Sequence, residues 1–326
     1  MIGEKEIFWE SVNRNRFQHL LNCSMKQDSI VVSGLGFKSH PLKINIAYDN
    51  PSFRGLLEEK FILYDSLPGF PVLYFLKYDP SFGFSLPSKH YGYVSDNGDA
   101  LIFASSFGVF KSVISGFASF LVSKYGYVPV HGSVFEVDGN GIILTGGTKA
   151  GKTTALINLV SPLILEGRNV KILTDDWAIV RGKGSSYTIE TFDPSISLRE
   201  INLIENPHLK FHEHRKLVES IEKRIKVSLD PDSLYGMSLT TNPVSLKVVV
   251  LLRPEIGNED LQLIDRKDFA LEIVDAAYHY PYVLDNHIYQ HRVFWEKISS
   301  EIETFSFFTR TKEGGFQDLT AIRRLL

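Results

Sequence analysis

The stretch Thr145–Thr154, TGGTKAGKTT, constrains the fold more than any other part of the chain. It ends the apolar run GIILT and opens onto ALINLV, so the local order is strand, glycine-rich loop, helix. Gly146, Gly151, Lys152 and Thr153 fit G-x-x-x-x-G-K-[ST]. Glycines let the backbone curl so that successive N–H groups point inward, and the helix that follows adds its positive end. That combination suits phosphate oxygens. Lys152 is expected to reach the β- and γ-phosphates of a nucleotide, and the Thr153 hydroxyl to ligate Mg²⁺. The expected nucleotide contacts are Gly146, Gly147, Thr148, Lys149, Ala150, Gly151, Lys152, Thr153 and Thr154.

A phosphate loop does not name a reaction, because switches, motors and kinases all use one. The nearby acids narrow the choice. Asp175 and Asp176 end the strand run VKILT in VKILTDDWAIV. In a parallel sheet, the carboxyl ends of strands converge beside the phosphate loop. Adjacent strand residues point to opposite faces, so one carboxylate is expected to face the metal and the other an acceptor hydroxyl. His131 opens HGSVFEVDGNG, a strand and hairpin before the loop, and is placed to hold or tune Asp175.

Around this centre the chain has two rhythms. Before residue 125, the runs SIVVSG, LKINIAY, FILYD, PVLYFLKY, YGYVS and ALIFAS read as strands separated by turn residues, and FKSVISGFASFLVS as a connecting helix. Residues 1–125 are therefore expected to form a small, mostly β N-terminal domain. Residues 126–326 are expected to form an α/β domain, with strands in VPVHGSVFEVDGNGIILT, NVKILTDDWAIV, SYTIETF and LKVVVLL. Helices are expected over 153–160, 207–226, 268–278 and 286–302, with a loop over 227–243. The 326 residues carry 35 Lys+Arg against 38 Asp+Glu, which gives no bulk reason to bind nucleic acid or an anionic membrane. Cys23 is the single cysteine, so no intramolecular disulfide forms. MIGEKEIFWESVNRNRF lacks the apolar core of a signal peptide, and Phe107–Val130 is broken by lysines, glycines and Pro129; a cytoplasmic protein is the expectation.

In order and spacing, HGSVFEVDGNGIILTGGTKAGKTTAL, ILTDDWAIV and SISLRE resemble the HPr kinase/phosphorylase superfamily, whose nucleotide-binding core is similar to that of phosphoenolpyruvate carboxykinases. The resemblance covers residues 126–326 and is most specific over 131–200. It implies an ATP- and Mg²⁺-dependent kinase, GTP being an alternative nucleotide. Asp175 is then the general base, His131 its support, and Lys152 the phosphate-holding cation. Thr153 and Asp176 lie at or near the metal, Arg199 of SLRE steadies the transferring phosphoryl group or grips the acceptor, and Glu200 is a further metal-shell residue. No counterpart of the late glycine- and arginine-containing loop that engages HPr is present. The implied acceptor is therefore a serine or threonine side chain of a peptide or protein, or a small alcohol, as in the family's lasso-peptide and free-serine kinases. Assembly into homo-oligomers is compatible with the resemblance. The rivals are a nucleotide hydrolase or switch, and a non-catalytic nucleotide-binding protein that recruits a partner.

Three other features read as ordinary. His212 and His214, in KFHEHRK, are two apart and would sit on different sides of a helix, so a solvated face is expected. Tyr278, His279, Tyr280 and Tyr282 read as packing, and the aromatic Ser81–Tyr93 as a covering loop.

Overall fold

A computed structural model describes residues 8–24, 31–37, 40–48, 57, 61–65, 68, 72–76, 91–95, 99–103, 126–147, 149–184, 186–191, 196–199, 224–227, 238–239, 242–257, 260–277, 285–312 and 315–326. The fold is mixed α/β. The chain forms two compact units, Met1–Tyr125 with Tyr280–Leu284, and Gly126–His279 with Asp285–Leu326.

Among the described residues, the first unit holds a seven-stranded sheet and one long helix. The strands are β1 (Phe8–Val12), β2 (Val31–Phe37), β3 (His40–Tyr48), β4 (Phe61–Tyr64), β5 (Val72–Leu76), β6 (Tyr91–Ser95) and β7 (Ala100–Phe103), in the order β1-β6-β7-β5-β3-β2-β4. Helix α1 (Arg14–Ser24) was not apparent from the sequence, because RNRFQHLLNCS is mostly polar. Its apolar Phe17, Leu20 and Leu21 nevertheless fall at i, i+3 and i+4, and they bury against Tyr93 and Leu101. Asn13 caps the helix: its Oδ1 accepts the Arg16 N–H at 2.9 Å. The expected connecting helix over 110–123 lies outside the described residues, as does most of Ser81–Tyr93.

The second unit is built on a mixed sheet, nine-stranded among the described residues. Its strands are β8 (Tyr127–Val137), β9 (Asn140–Thr145), β10 (Val170–Thr174), β11 (Trp177–Lys183), β12 (Ser186–Glu190), β15 (Ser238–Leu239), β16 (Val244–Ile256), β17 (Gln262–Leu263) and β18 (Glu303–Arg310). Strands β13 (Ile196–Arg199) and β14 (Arg224–Val227) form a separate antiparallel pair. The helix expected over 207–226 therefore does not extend to its end, where Arg-Ile-Lys-Val, alternating polar with β-branched residues, pairs as strand; 207–223 lie outside the described residues.

Helices cover both faces of the nine-stranded sheet. Helix α2 (Lys152–Leu165) buries Ala155, Leu156, Leu159 and Val160 against Phe135, Leu144, Ile172 and Val250. Helices α3 (Arg266–Ala277) and α4 (Asp285–Glu301) bury Phe269, Ile273, Trp295 and Ile298 against Val134, Ile143, Leu173 and Leu251. Ile143 and Leu144 thus face opposite layers, as do Leu251 and Leu252, which explains why LKVVVLL is apolar without alternation. The short helix α5 (Thr320–Arg323) adds Ile322 to the α2 layer. Among the described residues, no helix is long and apolar enough to cross a membrane.

Candidate functional site

The site begins at a tight hairpin. Asp138 and Gly139 both have positive φ (49° and 90°), the condition for a two-residue turn that keeps strand twist, and Val137 pairs with Asn140 across it. The turn fixes the register of β8 and β9 so that Gly132 faces Thr145 at the end of β9. On the other side of β8, β10 is antiparallel too. β9 and β10 therefore run in the same direction, and their carboxyl ends meet on either side of Gly132, whose N–H donates to Asp176 O at 3.0 Å. The parallel sheet expected from the sequence is instead a mixed one, with antiparallel β8 between the loop strand and the acidic strand. His131 lies within β8 rather than opening it.

Gly132 is required here by space. An ideal Cβ would lie 2.7 Å from Leu144 O, a backbone atom that the β8–β9 ladder holds in place. Gly132→Ala is expected to cost about 1–3 kcal/mol of stability, read as a lower midpoint in urea unfolding.

Asp175 and Asp176 occupy the two-residue break between β10 and β11. A bulge precedes them: Ile172 pairs with Phe135 but Thr174 with Val134, so one extra residue has been inserted. Without the bulge, Asp175 would share a face with Leu173, which packs in the α3 layer. With it, Asp175 turns to α2, where it accepts from Thr153 Oγ1 (Oδ2, 3.2 Å). Asp175 is buried at 6% exposure. The Asp176 N–H donates to Thr174 Oγ1 at 3.2 Å, which shapes the corner, and its side chain, 28% exposed, faces His131 with Oδ1 and Nε2 3.7 Å apart. The contacts therefore run Thr153–Asp175 and His131–Asp176. This is the reverse of the expected grouping, in which His131 supports Asp175 and Thr153 shares a metal with Asp176.

His131 is held on three sides. Its Nδ1 is 3.2 Å from Ala276 O at the end of α3; a carbonyl only accepts, so Nδ1 carries a hydrogen, and Nε2, turned to the Asp176 carboxylate, donates to it only in the imidazolium form. Its ring stacks on buried Trp177, centroids 6.1 Å apart. Its own carbonyl accepts from Thr145 Oγ1 at 2.9 Å, which ties the strand to the start of the loop. No sequence signal marks Ala276, because its backbone oxygen does the work.

The loop itself is tightly constrained. Gly146 has φ 146°, and a Cβ there would lie 2.3 Å from Leu252 O; Gly151 has φ 87°, and a Cβ would lie 2.6 Å from the Phe316 ring. Lys149 is exposed and also has positive φ, 67°, an uncommon conformation for a residue with a side chain. Helix α2 starts at Lys152 with Gly151 as its N-cap. No side chain caps that end and its first turn holds no acid, so the positive helix terminus keeps its capacity for an anion. Ala150 is buried and its N–H donates to Gly147 O at 3.2 Å, while Thr153 and Thr154 lie half-buried in the first turn. Lys152 is buried, and its Nζ donates to Gly146 O at 2.8 Å and Gly147 O at 3.0 Å. Burial lowers its pKa to about 8, against the opposing pull of Asp176 and Asp175.

Arg199 ends β13, opposite Arg224. Its side chain lies outside the described residues, as do Thr148, Glu200, His212, His214, Tyr278, His279, Tyr280 and Tyr282. The loop, Lys152, Thr153, the two aspartates and His131 are gathered at one edge of one sheet. This set offers N–H donors and a cation for an anion, hard oxygen ligands for a cation, and a carboxylate with an imidazole beside it for a proton. No family model matches the chain, and no curated protein matches it in sequence.

Proposed function

We propose that the second unit binds a nucleoside triphosphate with Mg²⁺ and transfers its γ-phosphate to an alcohol, as the resemblance to HPr kinase-like enzymes implies. The observation that carries this reading is the convergence on Gly132 of the glycine loop from one side and the Asp175–Asp176 corner from the other. The loop N–H groups, the α2 terminus and Lys152 hold the phosphates. Thr153 Oγ1 and Asp175 Oδ2, 3.2 Å apart, are hard oxygen donors that fit Mg²⁺, which takes one or two carboxylates beside substrate phosphates. When bound, that ion neutralises charge on the phosphate oxygens.

The division of labour follows from burial. Asp175 is enclosed with the Thr153 hydroxyl, whereas Asp176 is partly open and has His131 against it. An acceptor hydroxyl arriving from solvent meets Asp176 first. Asp176 takes its proton as the new oxygen–phosphorus bond forms. The bond from phosphorus to the bridging oxygen breaks, and its electron pair leaves on the diphosphate. His131, held by Ala276 and Trp177, positions Asp176.

The test is transfer of labelled γ-phosphate from Mg·ATP into separated pools of small metabolites, peptides and proteins. A labelled product of alcohol type is expected. Free phosphate alone would replace this reading with that of a hydrolase.

A further inference from the structure

We propose that Arg253 is a second fixed cation of this site, donating to the oxygens of the phosphoryl group in transit, a role that rests on the nucleotide reading above. Strand β16 runs parallel to β9 with Leu251 opposite Thr145, so Arg253 follows two residues later, level with the loop. Here the β16 backbone presses on the loop, since Leu252 O is the atom that forbids a side chain at Gly146. Thr309 Oγ1 donates to Arg253 O at 3.0 Å and fixes the strand end.

The side chain is fixed as well. Leu252 packs in the α2 layer and Leu251 in the α3 layer, so strand alternation brings Arg253 out on the α3 side. There its Nη2 donates to Glu272 Oε1 at 2.5 Å, and its guanidinium carbon lies 5.9 Å from the centre of the Phe308 ring. Glu272 is one helical turn before Ala276 on α3, on the same face, and Ala276 O is the group that holds His131. One helix face therefore carries both Glu272, which holds Arg253, and Ala276, which holds His131, and the β9–β16 register sets Arg253 level with the residues just after Thr145. The side chain as a whole is 27% exposed, while its Nε is buried and finds no acceptor among the described residues, so the fork keeps a donor beyond the one given to Glu272.

Charge gives such a cation a purpose. Lys152 already answers to two carboxylates, Asp176 and Asp175. In transfer, negative charge spreads over the three equatorial oxygens of the phosphoryl group and onto the bridging oxygen as its bond to phosphorus breaks. A guanidinium keeps its charge at any working pH and presents a planar fork of donors to such oxygens. Glu272 holds that fork in position before the charge develops. As a tether alone, an ion pair this exposed contributes little to stability.

The test is calorimetric binding of Mg·ADP with and without aluminium fluoride, which mimics the phosphoryl group in transit, to the wild type and to Arg253→Gln and Arg253→Lys. The ratio of the two affinities is expected to fall at least ~30-fold in Arg253→Gln and less in Arg253→Lys, in the range for one lost transition-state donor. An unchanged ratio in both variants would reduce Arg253 to a tether of α3. A wild type that binds no Mg·ADP would overturn the nucleotide reading, and this role with it. If Arg253→Gln does not fold, Glu272→Gln keeps the cation but frees it, and an undiminished ratio there also rejects the proposal.

Discussion

Lys152→Met is expected to weaken Mg·ADP binding at pH 7 at least ~100-fold, the equivalent of one or two charge-assisted hydrogen bonds. The wild type is expected to show a pH step that the variant lacks. In the ligand-free protein Lys152 titrates at about 8, because burial disfavours its charged form more than Asp176 and Asp175 favour it. Phosphate oxygens against Nζ raise that value in the complex. Below pH 8 the lysine is charged in both states and contributes no pH dependence. Above pH 8 binding must take up a proton, so affinity falls by up to about tenfold per pH unit until the bound-state value is reached. Titration calorimetry at pH 7 and 9, in buffers of different ionisation enthalpy, reads both the loss and the proton. Equal affinity at the two pH values, with no proton uptake, would separate Lys152 from the phosphates. Stability of the ligand-free protein runs the opposite way. The unfolded lysine holds its proton to about 10.5 and the folded one to about 8, so the unfolded chain binds more protons across that window and stability rises with pH through it.

The strand, loop and helix around Lys152 were legible because glycine, lysine and threonine at fixed spacing have few alternatives as a local structure. The α3 and α4 helices and β16 were legible within a few residues from apolar periodicity. What was not legible has definite physical causes. The bulge before Thr174 has no residue signature, since Leu173 is an ordinary apolar residue, yet it reverses the face that Asp175 presents. Sequence alternation separates the two aspartates, but it could not say which lies against Thr153 and which against His131. Ala276 acts through its backbone oxygen, and Arg253 depends on a register between β9 and β16 that are about 100 residues apart in the chain. Helix α1 was masked by its polar face, and β18 by the absence of turn residues between Glu301 and Glu303.

The reversed pairing makes the two aspartates separable by experiment. Asp176→Asn keeps the shape of the corner, because the Asp176 N–H to Thr174 and its carbonyl to Gly132 are backbone contacts, but it removes the group that accepts the proton. Transfer to the acceptor is expected to fall about 10²–10⁴-fold at saturating Mg²⁺, the ordinary weight of a positioned base. Asp175→Asn removes a charge beside the Thr153 hydroxyl instead. It is expected to raise the Mg²⁺ concentration needed for half-maximal nucleotide binding by about tenfold or more, through loss of a hard anionic ligand. His131→Gln should follow Asp176→Asn in direction and be milder, since the imidazole only positions the carboxylate at 3.7 Å. If Asp175→Asn abolished transfer at saturating Mg²⁺ while Asp176→Asn chiefly changed the metal requirement, the base would be Asp175 and the open carboxylate the metal ligand. Burial argues against that result: a carboxylate enclosed at 6% exposure is poorly placed to meet a hydroxyl from solvent, and the more open neighbour has a histidine fixed against it.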